Sequence, residues 1–99
     1  MDPSLTPTNP QSRVDAELDR WTRLFSGAEY FYGQDAGPVA RRAVRYHRAY
    51  RPGGGRALDA GCGEGQDLAF LAERGYEATG IEFTAPGAEK ARRLLAERG

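Results

Sequence analysis

The sequence predicts an α/β protein: two helices followed by the start of a doubly wound parallel sheet, one that 99 residues leave incomplete. Three observations carry this prediction. Apolar residues recur at helical spacing between residues 12 and 50; short strand-like runs then alternate with helical stretches; and a glycine-rich turn, LDAGCGEG (58–65), joins the first such run directly to the next helix. They divide the chain into a flexible tail (1–12), a helical lead-in (13–55) and two β-α units (56–99).

The tail holds Pro3, Pro7 and Pro10 among Ser, Thr and Asn, too little apolar surface to order itself. Ser12 and Asp15 have capping-box spacing, so the first helix is expected to start at Ser12, with Val14, Leu18, Trp21 and Phe25 as its apolar stripe and Gly27 as its stop. SGAEYFYGQDAG (26–37) reads as a loop. Gly37-Pro38 opens a second helix, since proline at the first helical position forgoes no hydrogen bond. Val39, Ala43, Tyr46 and Tyr50 line one of its faces, and RPGGG (51–55) breaks it. A strand over 56–60, a helix over 64–74 ended by Gly75, a strand over 76–83 and a helix over 85–98 complete the pattern. In the last helix Ala88, Ala91 and Leu95 are expected to be packed and Lys90, Arg92 and Arg93 solvated.

Fourteen basic residues balance fourteen acidic ones, which gives no electrostatic reason for a nucleic-acid or membrane-surface partner. A lone cysteine, Cys62, cannot form an intrachain disulfide; with no signal sequence and no apolar run near the roughly 20 residues that span a bilayer, a cytoplasmic protein is expected.

A turn from a strand into a helix is where open α/β sheets bind ligands, and glycines there let a ligand approach the backbone. A dinucleotide fingerprint, G-x-G-x-x-G counted from Gly61, needs its third glycine at position 66, which is Gln66. Instead Asp59, Gly61, Gly63 and Gly65 spell D-x-G-x-G-x-G. An acid, Glu82, closes the second strand in GIEFTAPGAEKARRLL, and a carboxylate there can accept from both hydroxyls of a ribose.

ALDAGCGEG resembles motif I of the class I S-adenosylmethionine-dependent methyltransferases, and the stretch around Glu82 resembles their second motif; the resemblance covers residues 56–99. The upstream EYFYGQDAGPVARRAV is similar in style to the lead-in of small-molecule methyltransferases, including the tellurite-resistance and thiopurine types. The resemblance implies a Rossmann-like sheet, S-adenosyl-L-methionine as cofactor and a small-molecule acceptor. It implies that Gly61, Gly63 and Gly65 cradle the cofactor, that Asp59 meets its ammonium directly or through water, that Glu82 binds its ribose with Cys62 and Phe83 among the cofactor-binding residues, and that Cys62 and Glu64 are turn positions whose side chains point away or line the mouth. Glu64, at the start of a helix, suits the positive helix end and opposes a pyrophosphate. No catalytic residue and no metal ligand is assigned.

Several readings stay open on sequence alone. The chain is read as the N-terminal portion of a longer enzyme, its sheet awaiting further strands or a partner chain. The alternatives are a truncated, non-catalytic module that binds a nucleoside-like ligand or pairs with another chain, and a nicotinamide-dependent oxidoreductase. Tyr30, Phe31 and Tyr32 either form a lid or cover the sheet edge. Trp21 and His47 are expected to pack rather than to react, and the five arginines between Arg41 and Arg51 to form a solvated face.

Overall fold

The computed structural model describes residues 9–98, which form α1 (Pro10–Phe25), α2 (Pro38–Tyr50), β1 (Gly55–Ala60), α3 (Gln66–Glu73), β2 (Tyr76–Ile81) and α4 (Ala85–Arg98). β1 and β2 pair in parallel, Gly55 opposite Tyr76 through Ala60 opposite Ile81. Parallel neighbours need a crossover, and α3 supplies it. α3 lies against both strands; α2 and α4 pack on α3, and α1 meets α4. This is the opening of the α/β sheet that the sequence predicts.

α1 starts two residues earlier than expected. The Asn9 side chain accepts from the Gln11 N–H at 2.9 Å, and Pro10 takes the first turn, where its fixed φ fits and its missing N–H costs nothing. Residues 10–12, assigned to the tail on sequence, are therefore helical; the rest of the tail, 1–8, lies outside the described residues. The stripe along α1 is buried only at its end. Phe25 is buried and Trp21 half-buried, whereas Val14 and Leu18 are exposed.

α2 begins at Pro38 as expected but presents a different face. Ala40 and Val44 are buried against Phe70 and Tyr76, while Val39, Tyr46 and Tyr50 are exposed. His47 packs at the rim of the same contact, its Nδ1 2.7 Å from the Tyr76 hydroxyl. The narrow Ala40–Val44 side lets α2 approach Phe70, whose ring also lies beneath the guanidinium groups of Arg41 and Arg74, at 5.1 and 4.4 Å.

α3 starts at Gln66 rather than Glu64, because Gly65 sits at φ +92°, a left-handed conformation outside any helix. α4 carries the largest departure. Lys90, expected in solvent beside Arg92 and Arg93, is 5% exposed next to buried Ala91 and Leu94.

One face of the sheet is covered. On the other, Arg56, Leu58 and Ala60 stand opposite Glu77, Thr79 and Ile81, all exposed.

Candidate cofactor site

The candidate site forms where β1 and β2 end side by side. Ile81, last in β2, turns its carbonyl toward the glycine turn and accepts from the N–H groups of both Gly61 and Cys62, at 2.7 and 2.9 Å. The Gly65 N–H donates to the Cys62 carbonyl at 3.0 Å, and the Gly63 N–H to Glu82 Oε1 at 2.9 Å. Four N–H groups of the turn are thus engaged within the chain.

Glu82 is held from its other side as well. Its Oε2 accepts from the Thr84 hydroxyl at 2.6 Å and the Thr84 N–H at 3.1 Å, while the Thr84 hydroxyl oxygen accepts from the Gly87 N–H at 3.2 Å and caps α4. A carboxylate offers about four acceptor positions, so one remains open, on Oε1.

The three glycines of the turn do three different things. Gly61, at φ +71°, has no atom within 4 Å of where a Cβ would stand and opens on the cleft. Gly63, at φ +56°, faces the Phe25 ring, 3.3 Å from the position of a Cβ. Gly65 is buried, and a Cβ there would meet the Ala91 backbone at 2.8 Å. Gly65 thus brings α4 against the turn and does not line the cleft, a departure from the role the resemblance implies.

Two clefts share Tyr32, Gly61, Cys62 and Gln66 as walls. One, of about 330 Å³, is bounded by Trp21, Phe25, Phe83 and Glu82. The other, of about 320 Å³, is bounded by Asp35, Asp59 and Asp67. Burial, and then the negative charge of Asp67, hold the Asp59 carboxyl above its ordinary range. Burial, followed by the charges of Asp59 and Glu82, pushes the Cys62 thiol up to about 11. Such a site disfavours anions and favours a cation.

Asp59, Gly61, Cys62, Gly63, Glu82 and Phe83 therefore come together, and Gly65 stands apart. Tyr32 lies between the clefts, which places it at the site rather than at the sheet edge; Trp21, expected to be core, stacks on Phe25 at 5.6 Å and reaches the first cleft. Asp35 and Asp67 went unread in the sequence, as did the pairing of Glu64, read there as a turn position, with Lys90, read as solvated. Lys90 had a signal, being the single lysine among fourteen basic residues.

The two β-α units and their helices match the opening part of a Rossmann-like methyltransferase fold. The model of the family described as methionine biosynthesis protein MetW matches residues 41–93, more than half of the chain, and the chain belongs to that family. Over 45 residues it is 44% identical to a 2-heptyl-1-hydroxyquinolin-4(1H)-one methyltransferase of Mycobacteroides abscessus, covering 46% of this chain and 20% of that relative. A solved S-adenosylmethionine-dependent methyltransferase from Geobacter sulfurreducens, in complex with S-adenosyl-L-homocysteine, superposes with a TM-score of 0.56 at 23% identity, over 81% of this chain and 32% of its own. The chain thus spans about a third of that structure's length and a fifth of the curated relative's. Among the described residues no helix is long and apolar enough to cross a membrane.

Proposed function

We propose that this chain supplies the cofactor half-site for methyl transfer from S-adenosyl-L-methionine to a small-molecule acceptor. The observation that carries the reading is the pairing of an open glycine, Gly61, with the carboxylates of Asp59 and Glu82 around a turn in which the N–H groups of Gly61, Cys62, Gly63 and Gly65 are already engaged. A pyrophosphate needs free N–H donors and tolerates no ring of acids. A ligand with a sulfonium, an ammonium and ribose hydroxyls needs carboxylates and an unobstructed backbone. The donor set fits the second ligand, which also speaks against the nicotinamide alternative.

In this reading Asp59 meets the cofactor ammonium, with Asp67 and Asp35 supplying further negative charge to the same cleft. Glu82 accepts one ribose hydroxyl at its open Oε1 position and a second once the Thr84 hydroxyl turns aside. Gly61 and Gly63 let the ligand lie on the turn, with Cys62 and Phe83 beside it. When bound, the cofactor supplies an electrophilic methyl group. The chain's share is alignment: it fixes the donor so that an acceptor meets the methyl in line. Tyr32 offers a ring face to the positive charge, an attraction of about 1 kcal/mol.

The acceptor contacts belong to chain beyond the two β-α units, where further strands, of this protein or of a partner, complete the sheet. A cytoplasmic site of action accords with the lone, unpaired Cys62.

Titration calorimetry with S-adenosylhomocysteine and NADH tests the reading. S-adenosylhomocysteine is expected to bind and NADH not. Glu82→Ala is expected to weaken S-adenosylhomocysteine at least about tenfold, the scale of one or two lost hydrogen bonds to a charged group. An unchanged affinity removes Glu82 from the site, and NADH binding in place of S-adenosylhomocysteine overturns the assignment.

A further inference from the structure

The loop between α1 and α2 has no regular structure, yet it is fastened to the β-α units along its length. Lys90 Nζ donates to the Glu29 carbonyl at 2.6 Å; the Tyr30 hydroxyl donates to the Lys90 carbonyl at 3.2 Å; and the Phe31 N–H donates to Glu64 Oε1 at 2.8 Å. Gln66 Nε2 donates to the Gly33 carbonyl at 2.6 Å, and the Gly37 N–H to Asp67 Oδ1 at 2.8 Å. At the centre Glu64 Oε2 and Lys90 Nζ form an ion pair at 2.8 Å, with side chains 0% and 6% exposed. The Tyr30 ring lies 5.7 Å from the same ammonium.

Burying two charges is costly, and an apolar pair of similar volume holds helices together as well or better. Packing alone therefore does not account for Glu64 and Lys90. What an apolar pair lacks is a donor for the Glu29 carbonyl and an acceptor for the Phe31 N–H. Each member of the pair spends one bond on its partner and another on the loop. The loop residue that follows, Tyr32, is one of the walls shared by the two clefts.

We propose that Glu64 and Lys90 are positioning residues: a buried latch that fastens the aromatic loop to the glycine turn and to α4, and so keeps Tyr32 over the cofactor cleft. The latch joins three segments that are distant in sequence, and two of them, the loop and the glycine turn, supply walls of the clefts. Its effect on ligand affinity rests on the methyltransferase reading of the site; its effect on the loop does not.

The test compares the wild type, Lys90→Met and the double variant Glu64→Leu/Lys90→Met. Hydrogen exchange of residues 28–34 is measured without ligand, and S-adenosylhomocysteine affinity by calorimetry. The double variant removes both charges and restores an apolar contact, so it keeps the fold even where Lys90→Met fails to fold. In it the loop amides, that of Phe31 above all, are expected to exchange at least about tenfold faster, while β1 and α3 amides stay protected. S-adenosylhomocysteine is expected to bind at least about tenfold more weakly. A double variant with wild-type loop exchange, or with a fast loop and wild-type affinity, overturns the proposal. Should the wild type itself not bind S-adenosylhomocysteine, the methyltransferase reading fails, and loop exchange alone decides the latch.

Discussion

Gly61 and Gly65 share a motif and a positive φ, yet opposite neighbourhoods separate their consequences. A side chain at Gly61 meets open space, so Gly61→Ala is expected to cost only the strain of a left-handed residue, about 1–2 kcal/mol, while filling the cleft. At Gly65 the same strain is joined by a collision with the α4 backbone at Ala91, for a loss of about 3 kcal/mol or more. Chemical denaturation should rank Gly65→Ala well below Gly61→Ala in stability, and S-adenosylhomocysteine titration should show Gly61→Ala, though folded, losing affinity. A folded Gly61→Ala that binds as tightly as the wild type would mean that the ligand does not lie on this turn.

At the scale of elements, the sequence pattern identified all six described elements and erred most clearly on the face that α2 presents. Val39, Ala43, Tyr46 and Tyr50 make a good helical stripe, yet α2 docks through Ala40 and Val44, because approach to Phe70 favours small side chains over large ones. Val44→Ala is accordingly expected to lower stability by about 2 kcal/mol, and Tyr46→Ala to change it by less than about 0.5 kcal/mol, as thermal melts would show. The reverse ranking would put the tyrosine stripe in the core. The D-x-G-x-G-x-G motif and Glu82 were legible because they form a local pattern of fixed spacing around the strand ends. Glu64 and Lys90 were not, because their partners, Glu29 and Phe31, lie 61 and 33 residues away, and a pattern of local spacing carries no trace of such a contact.

Across the whole molecule zero net charge conceals an uneven layout, with acids gathered at the cleft and, along α2, arginines that form no ion pair among the described residues. The one thiol records this. Cys62 titrates near 11 in the folded chain against 9.0 ordinarily, so the folded state holds its proton more tightly. Its contribution to stability is complete below pH 9 and is lost as pH rises toward about 11. At neutral pH iodoacetamide should label the folded chain far more slowly than the urea-unfolded chain, so the labelling rate becomes a measure of cooperative opening. Equal rates in the two states would show that neither burial nor the nearby Asp59 and Glu82 charges hold this thiol in its protonated form.

The hydrogen bonds that close the glycine turn on itself reach beyond ligand geometry. ATP and NAD are abundant in any cell, and many nucleotide sites must discriminate among them by size or shape. A turn with its Gly61, Cys62, Gly63 and Gly65 donors engaged, bordered by Asp59, Asp67 and Glu82, has less need of such a filter: its charge is expected to disfavour polyphosphates at a distance, before fit is tested, and to favour ligands that arrive uncharged or positive.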